Sequence, residues 1–89
     1  MSWAKGYTRD GWYYSIGFSK IDGKFRVQFG NGRKEVWLLE ELVVQLHGSL
    51  YRVYVKGEST DIVGELKSVV QTVANQIAYM LETKGSSII

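Results

Sequence analysis

Alternation organises the first half of the chain. Tyr14, Ile16 and Phe18 are spaced two apart, as are Phe25, Val27 and Phe29, with small or polar residues between them. Period-two patterning marks strands with one buried face. Asp22-Gly23 and Asn31-Gly32 follow the two runs. Both dipeptides favour two-residue hairpin turns, in which both central positions need positive φ. A turn centred on Asp22-Gly23 pairs Phe18 with Val27 and Ile16 with Phe29. One centred on Asn31-Gly32 pairs Val27 with Val36 and Phe25 with Leu38. Apolar then opposes apolar in both hairpins, and a one-residue slip would exchange the faces. The pattern predicts a meander over residues 12–21, 24–30 and 33–38. Asp10-Gly11 can turn residues 2–8 back as a further strand, setting Tyr7 by Tyr14 and Trp3 by Phe18.

The spacing then becomes helical. Leu39, Leu42, Val43 and Leu46, with Gly48 as a left-handed stop, predict a short helix over 39–47; Val43-Val44 leaves a strand as the alternative. Residues 50–56 alternate again and read as a strand. Ser59 or Thr60 can cap a final helix with Asp61 in its first turn. Its apolar stripe runs through Ile62, Leu66, Val69, Val70, Val73, Ile77, Met80 and Leu81, ending at Lys84-Gly85. About 24 residues at 1.5 Å each would give roughly 36 Å. A compact domain of this size is only about 31 Å across. The stripe therefore predicts a homodimer through this helix, because one small sheet would leave part of it bare. Its other side, between Lys67 and Glu82, is polar but uncharged. The expected dimer interface is Val69, Gln71, Thr72, Val73, Asn75, Gln76, Tyr79 and Met80. The fold class expected is α+β: an antiparallel sheet of four to five strands (meander, short helix, strand) packed on a long C-terminal amphipathic helix.

Composition narrows the chemistry. With 89 residues the chain has room for one domain, placed at residues 1–85, with 86–89 as a frayed tail unless its isoleucines dock. There is no cysteine and one histidine, His47, so thiol chemistry, disulfides and histidine-rich metal centres are excluded. Glu40-Glu41 are neighbours that point apart on a helix, and no nucleophile, base and oxyanion set assembles. No enzyme activity, cofactor or metal is expected. No apolar run is long enough to span a membrane, and the N-terminus lacks a signal core, so a cytoplasmic location is expected by default.

Charge adds a direction. The net charge is only +2, but nine of the eleven basic residues lie in residues 1–57 against five acids, a net +4. Residues 58–89 carry a net −2. Strand parity sorts the charge again. The face opposite the predicted core holds Tyr13, Lys24, Arg26, Arg33, Trp37, Arg52, Tyr54 and Lys56, with Ser15, Gly17, Ser19 and Gln28 among them and one acid, Glu35. The predicted registers put Arg26 opposite Trp37, within reach of a cation–π contact. Cations can track phosphates while aromatic faces stack on unpaired bases, so these residues are the candidate site for single-stranded DNA or RNA. The plainer reading is a solubilising face. The alternative function is a protein-binding regulator, such as a virus- or plasmid-encoded inhibitor of a larger complex.

The strand order leading into Glu35-Val36-Trp37-Leu38-Leu39-Glu40-Glu41-Leu42, with Lys20-Ile21-Asp22-Gly23-Lys24-Phe25-Arg26-Val27 as a hairpin, resembles one known group. These are the transcriptional-coactivator and Whirly-like single-strand-binding proteins. The resemblance covers residues 12–46. It implies a curved antiparallel sheet, a following helix that pairs subunits, and basic and aromatic sheet residues that hold unpaired DNA. The strand at 50–56 and the long second helix depart from that pattern.

Overall fold

The computed structural model describes residues 2–30 and 34–89. It is α+β: a six-stranded antiparallel meander, curled into a half-barrel, packed with one C-terminal helix. The strands are β1 (Ala4–Tyr7), β2 (Tyr13–Ser19), β3 (Lys24–Gly30), β4 (Glu35–His47), β5 (Leu50–Val55) and β6 (Glu58–Gly64). They lie side by side in chain order. Helix α1 (Leu66–Lys84) follows, then a 3-10 turn over Ser86–Ile88.

Two segments expected to be helical are strands. Residues 39–47 continue β4, because Leu42, Val44 and Leu46 satisfy a period of two as well as a helical one. They pair with Val55, Val53 and Tyr51. Gly48, with φ of 69°, turns a hairpin and stops no helix. Residues 58–64 form β6. Lys56 and Gly57 both have positive φ, 53° and 81°, as a two-residue hairpin turn requires. Thr60 caps no helix; its hydroxyl donates to the Val53 carbonyl at 2.8 Å within the sheet. Helix α1 therefore begins at Leu66, after an extended Glu65 that makes no side-chain cap.

The registers also differ. Between β2 and β3, Phe18 meets Phe25, Ile16 meets Val27 and Tyr14 meets Phe29. This is two residues from the expected pairing, so the faces are unchanged. Between β3 and β4, Val27 meets Trp37 and Arg26 meets Leu38, a slip of one that exchanges the faces of β4. β1 slips by one as well, with Tyr7 opposite Tyr13. Residues 40–42 are extra on β4, since Phe25 pairs with Leu39 but Lys24 pairs with Val43. A bulge of this kind bends its strand. Gly23 fixes the bend: its carbonyl accepts the Val44 amide at 2.8 Å. Its φ is +70°, and a Cβ there would lie 2.2 Å from the Val44 carbonyl oxygen.

The core lies between the concave face and α1. Tyr14, Ile16, Phe25, Val27, Phe29, Val44 and Val53 meet Val69, Val70, Val73, Ala74, Ile77 and Leu81. The helix packs against β1, β2, β5 and β6. Its C-terminal end is tied to the β1–β2 loop. The Arg9 amide donates to the Leu81 carbonyl at 3.1 Å, and the Arg9 guanidinium donates to Thr83 at 3.2 Å. The Tyr14 phenol donates to Glu82. Burial first, then that hydrogen bond and the Glu82 charge, raises the Tyr14 pKa. The tail is anchored too, because Asp10 accepts the Ser86 hydroxyl at 2.5 Å and the Ser86 amide at 2.9 Å. These bonds, with one from Thr8, hold the Asp10 carboxyl down at about 2.

Candidate nucleic-acid interface

The convex face is built from the residues that alternate with the core. Pairing arranges it in rows. Tyr7, Tyr13 and Gly30 form the first; Lys5, Ser15, Gln28 and Val36 the second; Gly17, Arg26 and Leu38 the third. Ser19, Lys24, Val43, Tyr54 and Ser59 follow, then Gln45, Arg52 and Val63. Lys5, Lys24, Arg26 and Arg52 are the cations of these rows, and Tyr7, Tyr13 and Tyr54 the aromatics. No carboxylate occupies any of these paired positions among the described residues; Asp61, exposed between Ser59 and Val63 on β6, is an acid of the same alternation. Same-face residues along a strand stand about 6.8 Å apart, and neighbouring strands about 4.8 Å.

Tyr7 and Tyr13 make an edge-to-face pair with centroids 5.6 Å apart. Both are exposed, Tyr7 by 67%, which leaves ring surface for a ligand. Arg26 is exposed. Arg52 is half-buried and donates to the Thr60 carbonyl at 2.8 Å. Gly17 sits in a regular ladder opposite Arg26, and a Cβ there would meet nothing within 4 Å. The floor between the cations is therefore low and open. Asp22 lies in the adjoining β2–β3 turn. The Lys24 amide chiefly lowers its pKa; burial opposes it, and a Ser19 hydrogen bond and the charges of Lys24 and Arg26 add smaller lowering effects.

The eight sequence-predicted residues do not all gather here. Tyr13, Lys24, Arg26, Arg52 and Tyr54 share the convex face. Lys56 is exposed in the β5–β6 turn, and Arg33 lies outside the described residues. Trp37 is on the opposite face, because the one-residue slip pairs it with Val27. It lines a small cavity with Trp12, Phe29, Glu35 and Ser86. The expected Arg26–Trp37 contact is therefore replaced by Arg26 opposite Leu38. Lys5 and Tyr7 join the face unanticipated. Their alternation with Ala4 and Gly6 was the available signal, but the slipped β1 register concealed it.

The expected dimer surface divides. Val69 and Val73 are buried in the chain's own core. Gln71 donates to the Trp3 carbonyl at 3.0 Å and to Asn75 at 2.9 Å. Thr72, Asn75, Gln76, Tyr79 and Met80 are exposed. Helix α1 has 19 residues, about 28 Å long, against a longest molecular extent of 43 Å. The overlong stripe that motivated a dimer is not present.

Among the described residues no group of three or more His, Cys, Asp or Glu is placed to hold a metal ion. Among the described residues no helix is long and apolar enough to cross a membrane. The helix that the single-strand-binding resemblance implies after Leu38 is the second half of β4. No protein-family model, curated protein or solved structure matches this chain.

Proposed function

We propose that this protein binds single-stranded DNA or RNA along its convex sheet face, mainly over β1–β3. One observation carries the reading: among the described residues the registered rows bring four cations and three tyrosines to one face, and over β1–β3 no carboxylate sits at a position of that face. Lys5, Lys24 and Arg26 would follow the phosphates. Tyr7 and Tyr13 offer ring surface to bases, at about 1–3 kcal/mol per stacked base. Ser15, Gly17 and Ser19 keep the floor flat enough for a strand to lie close. The face is complete within one chain, so the reading needs no second subunit. A solubilising face would carry the same lysines, but it gives no reason for two exposed tyrosines to be paired among them.

Trp3, Trp12 and Trp37 are not at convex ladder positions, so anisotropy of a labelled oligonucleotide is the suitable readout. Three phosphate contacts predict a log–log salt slope of about −2.1 on a single strand, or about 20-fold weaker binding between 50 and 200 mM salt. Absence of binding at the lower salt, or binding indifferent to salt, would overturn the proposal. A second role in protein binding is favoured by a separate feature, the apolar first half of β4.

A further inference from the structure

Between Glu35 and Glu40, β4 pairs with β3 alone; its ladder with β5 starts at Leu42. Every second peptide group of this stretch therefore points away from the sheet, as on any open edge. The same stretch is apolar on both faces. Val36 is 59% exposed, Leu38 45% and Trp37 43%. On the concave side the edge borders a groove of about 720 Å³, whose walls include Trp37, Leu39, Leu42, Met80 and Ile89. Glu35, Glu40 and Glu41 are exposed along this edge, and none makes a short ion pair among the described residues.

We propose that this edge takes up an extended peptide segment as an added strand, and that the peptide has alternating apolar residues flanked by cations. Backbone pairing would supply affinity, and pockets for alternate side chains specificity. One parity of the peptide would drop into the groove beside Leu39 and Leu42. The other would lie along Val36 and Leu38. The three glutamates choose the charge of the flanks. They also disfavour a second copy of this chain. Antiparallel self-pairing centred on Leu38 sets Glu35 opposite Glu41 at both ends, and parallel self-pairing aligns each glutamate with itself. Like charges directly opposite are destabilising. Val36 and Leu38 end two rows of the convex face, but the edge backbone and the groove lie outside its cationic β1–β3 part, so this inference stands or falls separately from the proposed function.

Three probe peptides test it: Lys-Ile-Thr-Val-Thr-Ile-Lys, the same peptide with glutamate at both ends, and the lysine peptide N-methylated at alternate amides. Amide NMR on the intact protein should show shifts concentrated in residues 35–41 with the first peptide. Binding should be about tenfold weaker for the glutamate-ended one, as expected for two charge pairs. The N-methylated peptide should not bind. Glu40→Lys with Glu41→Lys should reverse the charge preference. Both side chains are exposed, and if this double variant melts below the parent, Glu35→Lys gives the same test at the other end. Equal binding of the two charged peptides, binding of the N-methylated peptide, or a doubled mass showing a second copy on the edge would each overturn the proposal.

Discussion

β3 and the first half of β4 are neighbouring strands with opposite fates. In β3, apolar residues alternate strictly with Lys24, Arg26 and Gln28, and Phe25, Val27 and Phe29 are 0–3% exposed. In β4, Val36, Trp37, Leu38 and Leu39 run without alternation, and the first three are about half exposed. The helix packs against β1, β2, β5 and β6 and covers the β3 core face, while β4 diverges at its bulge before β5 joins it. Strict alternation yields a sorted strand, with core on one side and cations on the other. A continuous apolar run yields a strand with no preferred face. The first arrangement suits a charged polymer lying on a surface, and the second suits another strand.

The largest expected effect separates the two strands by stability. Phe25→Ala should cost about 3–5 kcal/mol, as for any fully buried aromatic. Leu38→Ala should cost only about 1 kcal/mol, since the side chain is 45% exposed. Chemical denaturation of both variants checks this, and a large loss at Leu38 would mean the exposed run is part of the core. Next comes charge. Lys24→Ala with Arg26→Ala should leave the melting temperature within a few degrees and flatten the oligonucleotide salt slope by about 1.4. An unchanged slope would place the phosphates elsewhere. The smallest effect is at Gly17. A threonine there fits open space and suits a strand better than glycine, so stability should rise by about 0.5–1 kcal/mol. Oligonucleotide affinity should fall, because the added side chain stands on the floor between Lys24 and Lys5. Unaltered affinity would remove Gly17 from the binding surface.

The parity of β2 and β3 was legible because core and solvent residues alternate there without exception. Parity therefore assigns Tyr13, Lys24 and Arg26 to the observed face even though the β2–β3 register differs by two residues. The β3–β4 register was not legible for a reason visible in the residues. Four consecutive apolar positions, 36–39, satisfy either parity, so pattern could not choose between them. That ambiguity put Trp37 on the wrong face. Ala4 and Gly6 have too little side chain to fix the register of β1, which concealed Lys5 and Tyr7. Leu42, Val44 and Leu46 fit two periods at once. β6 opens with Glu58-Ser59-Thr60-Asp61, a good helix start by composition, and only the Lys56-Gly57 turn and the β-branched Thr60, Ile62 and Val63 favour the hairpin. Arg52 and Tyr54 were placed correctly because 50–55 alternates cleanly.

The central claim is that one sheet carries two surfaces of opposite chemistry, and amide NMR with a short oligothymidylate at low salt tests it most directly. The account predicts the largest shifts at residues 5–7, 13–19 and 24–28, with the groove residues 39–42 unmoved. Shifts confined to 35–41, or none anywhere, would contradict it.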